Sequence, residues 1–266
     1  FGTIVHQVLE DFFRPFEQSG EPILAEHVAQ MLKVLPEKVK TEFSKVTLGA
    51  KPERGMNYLL YKVAVEVLNK YLLKLKDSDE LPLYVLRLEQ TLAATLPVQV
   101  GNEVVQVRIA GKADRIDLTG HELRVIDYKT GKVEQNQLRV KDEDLELHFL
   151  SDPKYGKARQ LWLYEYVLKR VLDESPQTIL RNASHVAPQN LQPKSGILSF
   201  RNFDAGVLPS DLPFTDAPDA GKGFMETSEN ILADFVKRVL DPEEPIQKTR
   251  DLDVCQWCAY RGICAR

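Results

Sequence analysis

Gly111-Lys112-Ala113-Asp114-Arg115-Ile116-Asp117, followed by Val125-Ile126-Asp127-Tyr128-Lys129-Thr130-Gly131, decides the reading of this chain. Thr119-Gly120-His121 between them is a turn signal, so the two stretches are arms of a hairpin. With a two-residue loop at Gly120-His121, Thr119 faces Glu122, Asp117 faces Arg124, and Asp114 falls opposite Asp127. Directly opposed residues have Cβ atoms about 5 Å apart on one face. A loop at Thr119-Gly120 leaves the two aspartates diagonal on that face, and a loop of odd length needs a bulge to keep them together. Along the second arm the period of two puts Asp127 and Lys129 on one face and Arg124, Ile126 and Tyr128 on the other. Two carboxylates this close repel each other. A divalent cation resolves the repulsion, and oxygen ligands suit magnesium or manganese. Such an ion acidifies a water and polarises a phosphoryl oxygen, with Lys129 one pleat away to touch a phosphate or orient the water. Alone, the trio reads as a surface charge cluster, whose pairs are weak. The apolar approach through Val125 and Ile126 shifts that balance, because a carboxylate at the end of a buried strand is costly without a ligand.

Outward from the hairpin, the first third of the chain is helical. Val5, Val8, Leu9, Phe12, Phe13 and Phe16 recur at helical spacing, and Pro15 marks the exit. Residues 22–46 read as one or two helices interrupted at Pro36. Residues 56–76 carry a third apolar stripe, from Leu59 to Leu72. The period then changes. Residues 83–90 read as a strand, and Val104 to Ile109 as a strand running on to Leu118. Residues 132–156 read as polar loop with a short strand near Leu145 to Leu150. Ala158 to Leu172 is a helix, residues 194–201 a strand, and residues 204–223, rich in Pro, Gly and Asp, an exposed insertion. Met225 to Leu240 is the last long helix, closed by Pro242 and Pro245. The class is α/β, a mixed sheet flanked by helices with a helical N-terminal part.

The 266 residues are 43% hydrophobic and 28% charged, ordinary values for a globular chain. No apolar run is long enough to span a membrane. The net charge of −4 and pI near 5.8 count mildly against a free-standing nucleic-acid binder. Carboxylates gathered for a metal lower the pI by themselves, and a domain tethered to other gripping domains needs little affinity of its own. The three cysteines all lie in the last twelve residues, as Cys255-x-x-Cys258-x5-Cys264. That argues against a disulfide framework and for a reduced, cytoplasmic setting, and the spacing is that of metal ligands. The opening Phe1-Gly2-Thr3 reads as the edge of a fragment of a larger protein.

Together the two hairpin stretches resemble the RecB-like branch of the PD-(D/E)XK nucleases. The pattern there is G-x-x-D-R-I-D, a short hairpin, a hydrophobic pair and D-Y-K-T-G, and it is matched at every position from Gly111 to Asp117 and from Val125 to Gly131. The resemblance implies a restriction-endonuclease-like core in which Asp114 and Asp127 ligate metal, helped by the Ile126 carbonyl, and Lys129 is the catalytic lysine. It adds His6, in Gly2-x-x-x-His6, as a further ligand, and Glu89 as an acidic position serving the metal or the water. It also adds Gln160 and Tyr164, the family's Q-x-x-x-Y, which share a helix face and would bond DNA phosphates or brace the lysine. Without it, His6 is a packed or surface histidine, Glu89 a solvated strand end and Tyr164 a core residue.

On this resemblance residues 1–266 form one nuclease domain. Its parts are a helical part (1–80), a catalytic sheet with the Q-x-x-x-Y helix (81–203), the insertion (204–223), and a final helix with the cysteine tail (224–266). The implied activity is Mg2+- or Mn2+-dependent exonucleolytic hydrolysis of DNA. The implied setting is an AddB-like helicase–nuclease of double-strand break repair and recombination, with an AddA-like helicase–nuclease subunit as partner. A CRISPR adaptation nuclease and a non-catalytic DNA-end-binding module are the other readings. Cys255, Cys258 and Cys264 resemble the C-terminal ligands of a 4Fe-4S cluster. Its fourth cysteine would precede Phe1, so this stretch would not complete the cluster. Lys132, Arg139, Lys141, Lys154, Lys157 and Arg159 surround the site in sequence and would meet phosphates without base readout; with no sequence-reading module in the sequence, selectivity should be for DNA ends or single strands.

Overall fold

The computed structural model describes residues 1–47, 52–120, 122–141, 145, 149–183, 191–213, 220–245, 248, 252–256 and 258–264. Its long helices near the N-terminus are α1 (Gly2–Ser19), α2 (Ala25–Val46) and α3 (Gly55–Lys76). Strands β1 (Leu83–Val100), β2 (Glu103–Thr119) and β3 (Glu122–Lys129) follow. Then come α4 (Gly156–Glu174), the short α5 (Gln177–Leu180), β4 (Pro193–Ser199), β5 (Val207–Pro209), α6 (Ala220–Leu240) and the short α7 (Leu252–Cys255). The five strands make one mixed sheet in the order β1-β2-β3-β4-β5. Only β3 and β4 run parallel. No described helix is long and apolar enough to cross a membrane.

Apolar surface is buried on both faces of the sheet, as a layered α/β fold requires. On one face Val5, Val8, Leu9 and Phe13 of α1, with Leu35 and Leu68 from α2 and α3, pack on Leu88, Ile126 and Tyr128. On the other, Leu161, Trp162 and Leu168 of α4 and Phe224 and Leu232 of α6 pack on Ile116, Val125 and Ile197. The Trp162 indole N–H donates to Ser228 Oγ at 2.8 Å, satisfying the one polar atom of a fully buried ring.

Both proline stops are overridden. α1 continues through Pro15 to Ser19, and α2 through Pro36 to Val46. An interior proline deletes a helix hydrogen bond and costs about 3 kcal/mol. Both prolines are exposed, so the freed carbonyls can reach water while the apolar stripes stay buried. α1 ends instead at Gly20, whose φ of 74° is left-handed and whose N–H bonds the Phe16 carbonyl. A Cβ there would lie 2.8 Å from the Asn182 carbonyl oxygen, so glycine is required twice over.

Two other expectations change. The insertion expected over 204–223 contains β5, because Leu208 and Leu212 are buried and Leu208 pairs with Ile197. It also contains the first turn of α6. The strand expected near Leu145–Leu150 lies partly outside the described residues. Phe149 is buried against Trp162, ring centroids 5.2 Å apart. β1 is far longer than residues 83–90, and its outer half forms a hairpin arm with β2.

That hairpin carries an irregularity which places the site. Leu88 belongs to the core beneath α1–α3, yet Leu92, four residues on and of the same parity, belongs to the core beneath α4. The change of face falls at Glu89, whose φ is +52°. In β2, Ala113 and Ile116, three apart, share one core, so that strand changes face too. The paired register runs Leu88↔Arg115 and then Gln90↔Ala113, and at the step between them stand Glu89 and Asp114.

Candidate metal and catalytic centre

A left-handed conformation at a non-glycine residue is strained, and such strain collects at functional sites. At the Glu89 kink, three elements converge. α1 starts against the end of β3, where a Cβ on Gly2 would be in ordinary contact with Thr130 Oγ1 at 3.5 Å. One helical turn on, i to i+4, His6 presents Nδ1 at 3.5 Å from Asp114 Oδ1. The other Asp114 oxygen accepts the Tyr128 backbone N–H at 2.7 Å. Glu89 completes the group. One ligand atom from each of His6, Glu89 and Asp114 lies within 4.8 Å of the other two, the only such cluster among the described residues. One imidazole and two carboxylates are a donor set that fits a divalent cation.

Asp127 adjoins this trio without joining it. It is 4% exposed. Its Oδ1 accepts from Gln160 Nε2 at 2.8 Å and its Oδ2 faces Lys129 Nζ at 2.7 Å. Gln160 also accepts from Lys129 Nζ at 3.1 Å and donates to the Tyr164 hydroxyl at 2.9 Å. Tyr164 donates in turn to the Lys112 carbonyl at 2.7 Å. The Q-x-x-x-Y pair of α4 therefore holds the acid and the amine of β3 at fixed separation. Gly111 permits the approach, since a Cβ there would come 3.1 Å from Tyr164 Cε1.

The charges shift one another. Burial pushes the Asp127 carboxyl up and the neighbouring Asp114 adds to it; Lys129 opposes both and does not win. Burial pulls His6 down, but its hydrogen bond to Asp114 and the charges of Asp114, Glu89 and Asp127 raise it overall. Burial pushes Tyr164 up to about 12, so it stays a neutral donor. The Glu89 carboxylate pairs with Lys112 Nζ at 2.5 Å.

Sequence reasoning missed the support beneath β3. Arg115 is fully buried. It donates to Tyr71 Oη at 2.8 Å and Tyr128 Oη at 3.0 Å, and its Nε lies 2.6 Å from Asp117 Oδ2. Arg124 grips the same Asp117 at 2.8 Å. The Tyr128 ring also meets the His6 ring edge-on at 5.5 Å. Alternation along the hairpin carried the signal, since Arg115, Asp117 and Arg124 share the face turned away from Asp127.

Elsewhere the expected contacts are less gathered. Lys132 pairs with Glu134, Arg139 with Asp211, and Lys154 with Asp152. Cys255 and Cys264 are half-buried and Cys258 exposed, and their sulfurs do not gather at the 4.8 Å spacing of ligands to one ion.

A family profile described as the PD-(D/E)XK nuclease superfamily matches residues 1–265, nearly the whole chain. The chain belongs to the PD-(D/E)XK nuclease superfamily. No curated protein matched it. Superfamily members are typically metal-dependent nucleases, and the α/β architecture with its helical N-terminal part agrees with a restriction-endonuclease-like fold. The acidic group at the kink is where a PD-(D/E)XK chain can take its metal.

Proposed function

We propose that this chain is a Mg2+- or Mn2+-dependent deoxyribonuclease acting exonucleolytically on DNA ends or single strands, the nuclease module of an AddB-like helicase–nuclease in double-strand break repair. The observation that carries the reading is the meeting of His6, Glu89 and Asp114 beside the Asp127–Lys129 pair. His6, Glu89 and Asp114 would hold the ion, with Asp127 completing its shell. A bound ion supplies an acidified water and Lewis acidity at the phosphoryl oxygen. Lys129 places its ammonium against a phosphate oxygen, where negative charge grows during in-line attack. Gln160 and Tyr164 keep that ammonium and Asp127 from drifting. Cys255, Cys258 and Cys264 would be three ligands of a 4Fe-4S staple, to be sought by iron and sulfide assay of anaerobically purified protein.

Digestion of linear DNA in Mg2+ or Mn2+, abolished by chelator, is the test. A chain that binds DNA ends but leaves them whole in both metals would instead be a non-catalytic end-binding module.

The pH dependence has a definite sign. His6 and Asp127 are both raised, and both must be deprotonated to serve a cation. Cation binding should therefore release protons and weaken as pH falls from about 8 to about 6. Calorimetric titration in buffers of different ionisation enthalpy reads this directly. An affinity flat across that range, with no proton release, would remove His6 from the ligand set.

A further inference from the structure

Next to the catalytic cluster, and sharing Gln160 and Tyr164 with it, lies a cavity of about 360 Å³ between α4 and the outer arm of the β1–β2 hairpin. Leu92, Ile109 and Gly111 form its sheet wall; Leu163, Tyr164 and Val167 form its helix wall. At the start of α4 the Arg159 guanidinium borders it, held by the Phe149 and Asp152 carbonyls at 2.6 and 2.7 Å. Its size is that of a small-ligand site, and its walls are apolar. None of the mechanism above uses it.

We propose that this cavity receives an unstacked nucleobase of the strand being cut, from the nucleotide next to the scissile phosphate, and so makes the centre selective for unpaired DNA. The inference rests on the nuclease reading and adds a substrate class to it. Three observations carry it. Gln160 touches both Lys129 and Asp127, so whatever fills the cavity lies one side chain from the phosphate-handling pair. The walls are a strand pair and a helix, so a base enters only after leaving its stack and its partner. Gln160 is engaged by Asp127, Lys129 and Tyr164, and Arg159 is anchored beside the cavity by two carbonyls through Nη1. The cavity thus offers mainly ring and aliphatic contact with a guanidinium at its edge, and such contact tolerates any base.

The test uses single-stranded oligonucleotides in which one abasic nucleotide is moved along the strand. Ile109, a half-buried residue of the cavity wall outside the catalytic machinery, is replaced in Ile109→Phe. Leu163→Phe fills the cavity from the helix side, in case the first variant fails to fold. Wild type should cut about tenfold more slowly where the abasic nucleotide meets the cavity, the loss expected for one stacked base. The filled variants should lose a similar factor on intact strands and become indifferent to the abasic position. A flat abasic scan in wild type, or filled variants that cut intact strands normally, overturns the proposal. Fluorescence anisotropy on the same strands separates the two readings. If no DNA is cut in either metal, the nuclease reading falls, and the cavity is then judged by binding alone. Abasic strands bound as tightly as intact ones would overturn it; a position-specific loss of binding would support it.

Discussion

Lys129→Ala should lower kcat for DNA hydrolysis by about 10²–10³-fold while leaving DNA affinity within a small factor of wild type. That is the loss seen when one preorganised donor to a developing anion is removed. The geometry explains why the effect should fall on the chemical step. Lys129 Nζ is held 2.7 Å from Asp127 and 3.1 Å from Gln160, so its position is set before substrate arrives and no reorganisation is needed at the moment of reaction. Lys129→Arg should not rescue, because a planar fork cannot reproduce a point charge in that cradle. The variant has a second signature. Burial already raises Asp127 against the pull of Lys129, and without the amine the carboxyl must rise further. A carboxyl raised in the folded state stabilises the fold only while protonated, and that contribution is lost as pH rises through its folded value. In the absence of metal, Lys129→Ala should therefore lose stability relative to wild type as pH increases, and added Mg2+ should restore it. Single-turnover rates within about tenfold of wild type would end the case for Lys129 at the phosphate.

Much of this centre was legible from the residues. The hairpin register could be counted from one turn, and Asp117 does stand opposite Arg124. Asp127 and Lys129 do share a face, as the two-residue period requires. Periodicity failed where the backbone leaves its regular state. A left-handed glutamate has no sequence signature, so the face change at Glu89 was invisible, and with it the grouping of Glu89 with His6 and Asp114 around one point. Alternation alone put Asp114 opposite Asp127. In the fold the last paired residues are Arg115 and Ile126, and the Asp114 side chain turns to accept the Tyr128 N–H. The prolines misled for a related reason. A proline rule weighs the lost hydrogen bond, whereas Pro15 and Pro36 sit on solvent faces of helices whose opposite stripes are buried. The cavity beside Tyr164 depends on how far α4 stands from the hairpin arm, a tertiary distance no local pattern contains.

The second large effect concerns stability, and it follows from what underlies β3. Arg115→Met should destabilise the fold by about 3–5 kcal/mol, the range for removing one partner from a buried ion pair. Asp117 would keep Arg124, which softens the loss. Against that, the buried Tyr71 and Tyr128 hydroxyls lose the guanidinium N–H that both accept, and an unsatisfied buried group costs about 1–3 kcal/mol. The guanidinium also lies over the Phe13 and Tyr128 rings, at 5.4 and 5.5 Å, so packing between α1 and β3 loosens with it. Urea denaturation measures the stability change, and a loss below about 1 kcal/mol would make the network incidental. Function should follow through geometry. Tyr128 holds Asp114 by its N–H and meets His6 by its ring, so a β3 that shifts at Tyr128 displaces two of the three candidate ligands. Cation affinity should fall about 10–100-fold, as when groups behind metal ligands are removed, at temperatures where the variant is still folded. Because Lys129 would keep Gln160 and Asp127, saturating metal should recover most of the rate in Arg115→Met but none of it in Lys129→Ala. That contrast separates a residue that positions ligands from one that touches the reacting phosphate.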